Sequence, residues 1–305
     1  MKRVLLAAPA AIGAGLMLLY TLLITGADAI TKAFAASYAA PQLFAVSGGI
    51  VAGLSLLATR VLRDDRGVRT DAPRAMALRS VATVAGAVAF FHAFRLLPFA
   101  EVFLFIALIP IFAGILSGPV LSEPVRPQAW GGLALASMGV LVLFPSGLSS
   151  IGLGHLVALL AALLGTVSLL AARYICRIES NLLAQVFYPN AALMVVMALA
   201  LPFVFQPMPL EDLAWAFSYG VILFGARWVL VGAMQVMPAY VVTPLINLQF
   251  LWMVLFGILF FAETPAASVF LGAGLMIVAS AILMRDQLRV RPMPASRPES
   301  VVPAE

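Results

Sequence analysis

Residues 4–34 read "VLLAAPAAIGAGLMLLYTLLITGADAITKAF". From Val4 to Thr25 the stretch carries no charge, and then Asp28 and Lys32 appear, four residues apart. About 20 consecutive apolar residues are needed to cross the hydrocarbon core of a bilayer, and this run has that length. On a helix, residues four apart share a face, and the acid precedes the base, the favoured order for an ion pair. The sequence therefore predicts a transmembrane helix with an Asp28–Lys32 pair toward its C-terminal end. A cleaved signal peptide is the competing reading, because Met1-Lys2-Arg3 is a basic start and Phe34-Ala35-Ala36 offers small residues for cleavage. A signal peptide's apolar region spans about 7 to 15 residues, whereas roughly 24 intervene here, so the helix is expected to stay.

Working outward, the remainder of the 305 residues repeats the pattern. Hydrophobic residues make up 63% and charged residues only 10%, with mean hydropathy +1.08, against about 25% charged in a soluble domain. The apolar runs are continuous and do not alternate, which excludes a water-soluble fold and argues against a β-barrel. Breaking the chain at Pro, Gly and charge clusters gives ten spans, near 8–35, 41–61, 75–97, 99–121, 127–145, 152–175, 181–204, 212–236, 239–261 and 266–284. The connections at Pro98 and Pro238 are the tightest, since proline suits a first helical turn and ends what precedes it. Cys176 is the single cysteine, so no intramolecular disulfide or multi-cysteine metal site forms.

Basic residues orient the spans, because cytoplasmic loops collect Lys and Arg. With the N-terminus inside, fifteen of the 18 Lys and Arg residues fall on the cytoplasmic side. They include Lys2 and Arg3, the cluster Arg60, Arg63, Arg66, Arg69, Arg74 and Arg79, then Arg173 and Arg177, and the tail. Lys32, Arg95 and Arg227 are left over. The net charge of +5 is thus a topology signal, and no nucleic acid is implied. Both termini are expected in the cytoplasm, with residues 286–305 a disordered tail.

A shift of 140 residues aligns "RLLPFAEV" (95–102) with "QVMPAYVV" (235–242) and carries Pro98 onto Pro238, Glu123 onto Glu263 and Gly132 onto Gly272 without a gap. One offset later, Gly13 and Lys32 meet Gly154 and Arg173. Two repeats of five spans follow, 1–145 and 146–285. An odd number of spans inverts the second repeat, and inverted repeats around a midplane site mark transporters.

At "FRLLPFAEV", "IALIPIFAGILSGPVLSEPV" and "WGGLALASMGVLVLFP", with a second copy in "QVMPAYVVTPLINLQFLWMVLFGILFFAETP", the chain resembles the drug/metabolite transporter superfamily, in the form with two EamA domains. The resemblance covers roughly residues 10 to 285. The Asp28/Lys32 spacing followed by Pro41-Gln42 resembles a proteobacterial subgroup that includes riboflavin and S-adenosylmethionine carriers. That subgroup often has an Arg early in its second helix, where this chain departs with Ser47 to Gly49.

Ionisable groups at membrane depth cost at least a few kcal/mol each on insertion scales, so they are functional candidates. For Asp28 and Lys32 two readings stand: Lys32 snorkels to headgroups with Asp28 neutralising it, or the pair faces a central cavity as proton acceptor and anion receptor. His92 is an interior hydrogen-bonding group or a relay. Arg227 beside Gly225 and Ala226 is an anion or carboxylate binder or an anchor. Asn247 and Gln249, near Pro244, are candidate site amides. Glu101 suits the first turn of its helix, near Arg95. Glu123 and Glu263 are read as structural acceptors for N–H groups at the start of the following helix.

The expected function is secondary active transport of a small polar metabolite (amino-acid-like, nucleoside- or flavin-like, or a carboxylate) across a bacterial inner membrane by alternating access. A coupling proton is a candidate partner, and the chain is a monomer or homodimer. A non-transporting membrane enzyme, scaffold or receptor is the alternative. No HExxH, GxSxG, phosphate loop or metal-ligand cluster supports an enzyme, so no catalytic residue, metal or cofactor is expected.

Overall fold

In hydrocarbon a chain must satisfy its backbone polar groups within each segment, and apolar runs of this length answer with helices. The computed structural model describes residues 2–62, 66–97, 99–106, 108–122, 127–142, 152–237, 242, 245–264, 270–271, 274–275 and 278–279. Its helices are α1 (Lys2–Ser37), α2 (Ala40–Val61), α3 (Pro73–Leu96), α4 (Phe99–Ile106), α5 (Ile109–Leu121), α6 (Pro127–Val142), α7 (Leu153–Ile178), α8 (Leu182–Ala200), α9 (Leu210–Val236) and α10 (Gln249–Phe261). Among the described residues no strand appears. Six helical stretches are long and apolar enough to cross a membrane: Ile12–Ser37, Ala40–Val61, Pro73–Leu96, Leu153–Ile178, Leu182–Phe203 and Leu210–Val236.

The other expected spans are interrupted or shorter. The 99–121 span is divided between α4 and α5, with proline at the start of α5 where its fixed φ and missing N–H are tolerated. The 239–261 span is helical at Val242, Leu245 and Ile246, turns at Asn247 and Leu248, and is helical again from Gln249. Most of 266–284, Pro98, Glu123, Pro238 and the Glu101 side chain lie outside the described residues.

Local signals place the helix ends. Proline stands in the first turn of α2 and α3, and Asn181 caps α8 by accepting the Ala184 N–H at 3.1 Å. Among the described residues, two non-glycine residues have positive φ: Ser122 (54°) and Ala262 (50°). Each terminates its helix in the left-handed conformation, one residue before Glu123 and Glu263 respectively.

Contacts between helix ends establish how the helices alternate. At the end where α1 begins, the Arg173 guanidinium donates to the Met234 carbonyl at 2.7 Å and that of Arg177 to the Leu121 carbonyl. There too the Asn181 amide donates to the carbonyls of Gly67 (2.8 Å) and Arg69 (3.0 Å), and Glu179 accepts the Thr70 hydroxyl at 2.9 Å. At the opposite end Lys32 meets Glu263, Tyr38 donates to Asp212, and the Gln42 amide donates to the Gln206 carbonyl at 2.7 Å. Successive long helices therefore run antiparallel.

The most extensive helix pairs join early to late sequence: α3 on α7, α2 on α8 and α1 on α9, followed by α2 on α9 and α3 on α8. The contact of α2 with α8 is backbone-close. A Cβ added to Gly48 would stand 2.8 Å from the Asn190 carbonyl oxygen and 2.9 Å from the Met194 nitrogen. The outer surface is oily, with Leu18, Leu57, Val81, Leu199 and Phe217 exposed, while Thr21, Thr25, Thr31, Ser55 and Thr166 are buried. These buried hydroxyls donate to carbonyls three or four residues back, so none is stranded.

Gly48 supplies a matched test. Gly48→Val forces α2 from α8 and lowers the melting temperature in detergent by the equivalent of about 1–3 kcal/mol or more. Gly53→Val, on the same helix with nothing within 4 Å of its added Cβ, leaves it within about 0.5 kcal/mol of wild type.

Candidate functional site

The helix pairs that hold early and late sequence together leave a cavity between them of about 170 Å³, lined by α1, α2, α3, α7, α9, α10 and neighbouring residues. Its polar side chains are Tyr20, Asp28, Thr31, Arg79, Thr83, Ser168, Tyr219, Arg227 and Gln249, set among Phe44, Phe90 and Phe94.

Asp28 lies on the cavity face of α1 and its Oδ2 accepts the Gln249 Nε2–H at 2.6 Å. Gln249 is the first residue of α10, so this bond joins α1 to the beginning of a late helix. Thr83 and Ser168 share a hydroxyl hydrogen bond of 2.7 Å between α3 and α7. Arg79, only 3% exposed, donates from a terminal guanidinium nitrogen to Gln185 Oε1 at 3.1 Å. Its buried Nε has no acceptor, and the buried Nε of Arg227 has none either. Guanidinium is all donor, so two cations line the cavity, each with a buried Nε that has no acceptor among the described residues.

The expected Asp28–Lys32 pair does not form. Lys32 Nζ instead lies 2.8 Å from Glu263 Oε1, and the ammonium also sits 5.3 and 5.1 Å from the Phe99 and Phe261 ring centres. Glu263 Oε1 accepts the Phe99 N–H as well, at 3.4 Å. A four-residue spacing brings two side chains within reach of each other, but both have better partners across the bundle. Glu263 does receive an N–H at a helix start, though that helix is α4, far earlier in the chain.

Of the other sequence candidates, Arg227 and Gln249 line the cavity with Asp28, whereas Lys32, His92 and Asn247 are not among its lining residues. His92 is exposed on α3, edge-on to Phe91. Asn247 is buried at 2% exposure with neither amide atom bonded.

Arg79 is the residue that the sequence reading misassigned. Grouping it with loop arginines follows from its closeness to Arg74 and Arg69, yet it lies inside the span read as 75–97, and the structure buries it in α3. That placement within an apolar span was the available signal. Tyr20, Thr83, Ser168 and Tyr219 carried none, because hydroxyls are common in packed membrane helices.

Residues 11–144 match the EamA-like transporter family model. A riboflavin transporter of Rhizobium johnstonii is 27% identical over 228 residues, covering 75% of this chain and 76% of that protein. A solved crystal structure shares the fold with TM-score 0.71 at 18% identity, over 92% of this chain and 99% of its own.

The Lys32–Glu263 contact distinguishes itself from the pairing expected by spacing. With side-chain exposures of 18% and 26%, Lys32→Met and Glu263→Gln should each destabilise, and the double variant should show a coupling of about 1–3 kcal/mol, between exposed and buried pairs. The Lys32→Met/Asp28→Asn double variant should be additive within about 0.5 kcal/mol. Thermal unfolding of the purified variants measures both.

Proposed function

We propose that this chain, which carries an EamA domain over residues 11–144, is a secondary transporter that moves a small polar metabolite by alternating access. The observation that carries the reading is the cavity holding Asp28, Arg79, Arg227 and Gln249 together inside an otherwise apolar bundle. A purely structural bundle gains nothing from an excess of cations gathered at membrane depth, whereas a binding site uses them. The named relative, a riboflavin transporter, supports cargo movement.

In this reading ten spans form two inverted five-helix repeats, 1–145 and 146–285, followed by a tail. Exchanging the repeats turns α3 on α7 into α1 on α9, and α2 on α9 into α3 on α8, while α2 on α8 maps to itself; all of these pairs are present. The left-handed helix ends Ser122 and Ala262 correspond in the same way. So do Tyr38 with Asp212 and Glu179 with the Asp71 N–H, each shifted by 141 positions. Rocking of the repeats would open one end of the cavity by parting Lys32 from Glu263, and the other by parting Arg177 from the Leu121 carbonyl. Asp28 is the candidate proton acceptor. The end rich in arginines, at Arg60, Arg66, Arg69, Arg74 and Arg177, faces the cytoplasm of a bacterial inner membrane.

Counterflow into proteoliposomes, run with labelled carboxylates, amino acids, nucleosides and riboflavin, tests the reading. Saturable uptake of at least one class is expected, and Arg227→Lys should reduce it about tenfold or more, the equivalent of one charged hydrogen bond lost with the planar fork. Absence of saturable uptake for every class overturns the reading. For orientation, reporters fused after Gly67 and at the C-terminus should both report cytoplasm, and one inserted between Pro145 and Gly154 the opposite side. Any other combination overturns the ten-span arrangement.

A further inference from the structure

Resting on the transporter reading, we propose that the cargo is an organic monocarboxylate with a ring-sized apolar body, its carboxylate held by Arg79 and Arg227.

Charge balance is the first argument. Among the described residues two guanidiniums and one carboxylate, Asp28, line one cavity, a net single positive charge while Asp28 is ionised and ready to accept its proton. Among the described residues no carboxylate lies within ion-pair distance of Arg79 or Arg227, and Lys32–Glu263 is the ion pair present. Two like charges in a low-dielectric space repel, and a single negative charge restores neutrality. A neutral cargo or a zwitterion leaves the excess in place. A phosphate ester, with a charge of about −1.5 to −2 near neutral pH, overshoots it.

Hydrogen-bond capacity is the second argument. Arg79 is nine-tenths buried and gives its one described side-chain bond to a neutral amide oxygen, Gln185 Oε1. Its Nε and that of Arg227 are buried donors without acceptors. Both side chains line the cavity, and a carboxylate accepts in the planar geometry that the terminal nitrogens of a guanidinium present. Arg79 is six residues from the Pro73 end of α3 and Arg227 nine from the Val236 end of α9, so both project from helix backbone about 9 to 14 Å in from the same side of the bundle.

Size and walls set the body. The cavity of about 170 Å³ is near the roughly 150 Å³ of an apolar protein cavity that takes one benzene ring. Phe44, Phe90, Phe94 and Leu169 line it and suit an aromatic or alicyclic ring, while a tricyclic flavin exceeds it in this conformation.

The test uses full-length protein in detergent, with calorimetric titration and thermal unfolding against benzoate, benzamide, benzylamine, phenylalanine and succinate. Benzoate should bind at least tenfold more tightly than benzamide and raise the melting temperature most. Arg79→Gln and Arg227→Gln should each weaken benzoate about tenfold while leaving benzamide unchanged. Equal binding of benzoate and benzamide, no binding of benzoate, or preference for phenylalanine or succinate overturns the proposal. The wild-type series decides even where an arginine variant fails to fold. Saturable riboflavin uptake without benzoate binding would overturn this inference and leave the transporter reading standing. Benzoate binding without uptake of any compound would overturn the transporter reading, and with it the assignment as cargo, and leave only a carboxylate-binding site.

Discussion

The close approach of α2 to α8 at Gly48 is the constraint on which the other features depend. Only a missing side chain lets the Asn190 carbonyl and Met194 nitrogen come within about 3 Å of where a Cβ would stand. Gly220 does the same for α9 against Ile50. In lipid, where apolar surface is not driven together by water, close packing at small residues is a principal source of helix association. With α2 fixed on α8 and α9, α1 can lie on α9 and α3 on α7, and the space bounded by these helices becomes the cavity.

That arrangement also explains how charge is distributed. The buried hydroxyls of Thr25, Thr31, Ser55 and Thr166 are bonded within their own helices. Charge at one end of the bundle is locked: Lys32, Glu263 and the Phe99 N–H converge beneath two aromatic rings. In the cavity, Arg79 and Arg227 lie within ion-pair distance of no described carboxylate, and the buried Nε of each has no acceptor among the described residues. Satisfied charge at an end holds helices together, and unsatisfied charge in a cavity is suited to binding.

Much of this was legible in the chain. Continuous apolar runs required helices, and the recurrence of Pro, Glu and Gly at a fixed shift pointed to two related halves, the arrangement proposed above. Asp28, Arg227 and Gln249 were selected as charged or amide groups within apolar spans, and the structure gathers them around one space. Arg79 was passed over because a run of arginines in a neighbouring loop gave it an ordinary explanation. His92 and Lys32 were selected for the same reason as Arg227, but His92 is exposed on α3, and Lys32, one turn beyond Asp28, meets Glu263 outside the cavity.

The sequence by itself determined that the chain is a bundle of membrane-length helices and which residues break its apolar pattern, because hydrophobicity and helical length are local, additive properties. Tertiary structure alone decided partnership. Asp28 and Lys32 are four apart and on one turn-to-turn track, yet each bonds a residue more than two hundred positions away. The reason is that a flexible ammonium or a carboxylate takes the best-placed counterpart within a few ångströms, and which groups come that near is set by the packing of α1 against α9 and α10, which no local spacing encodes.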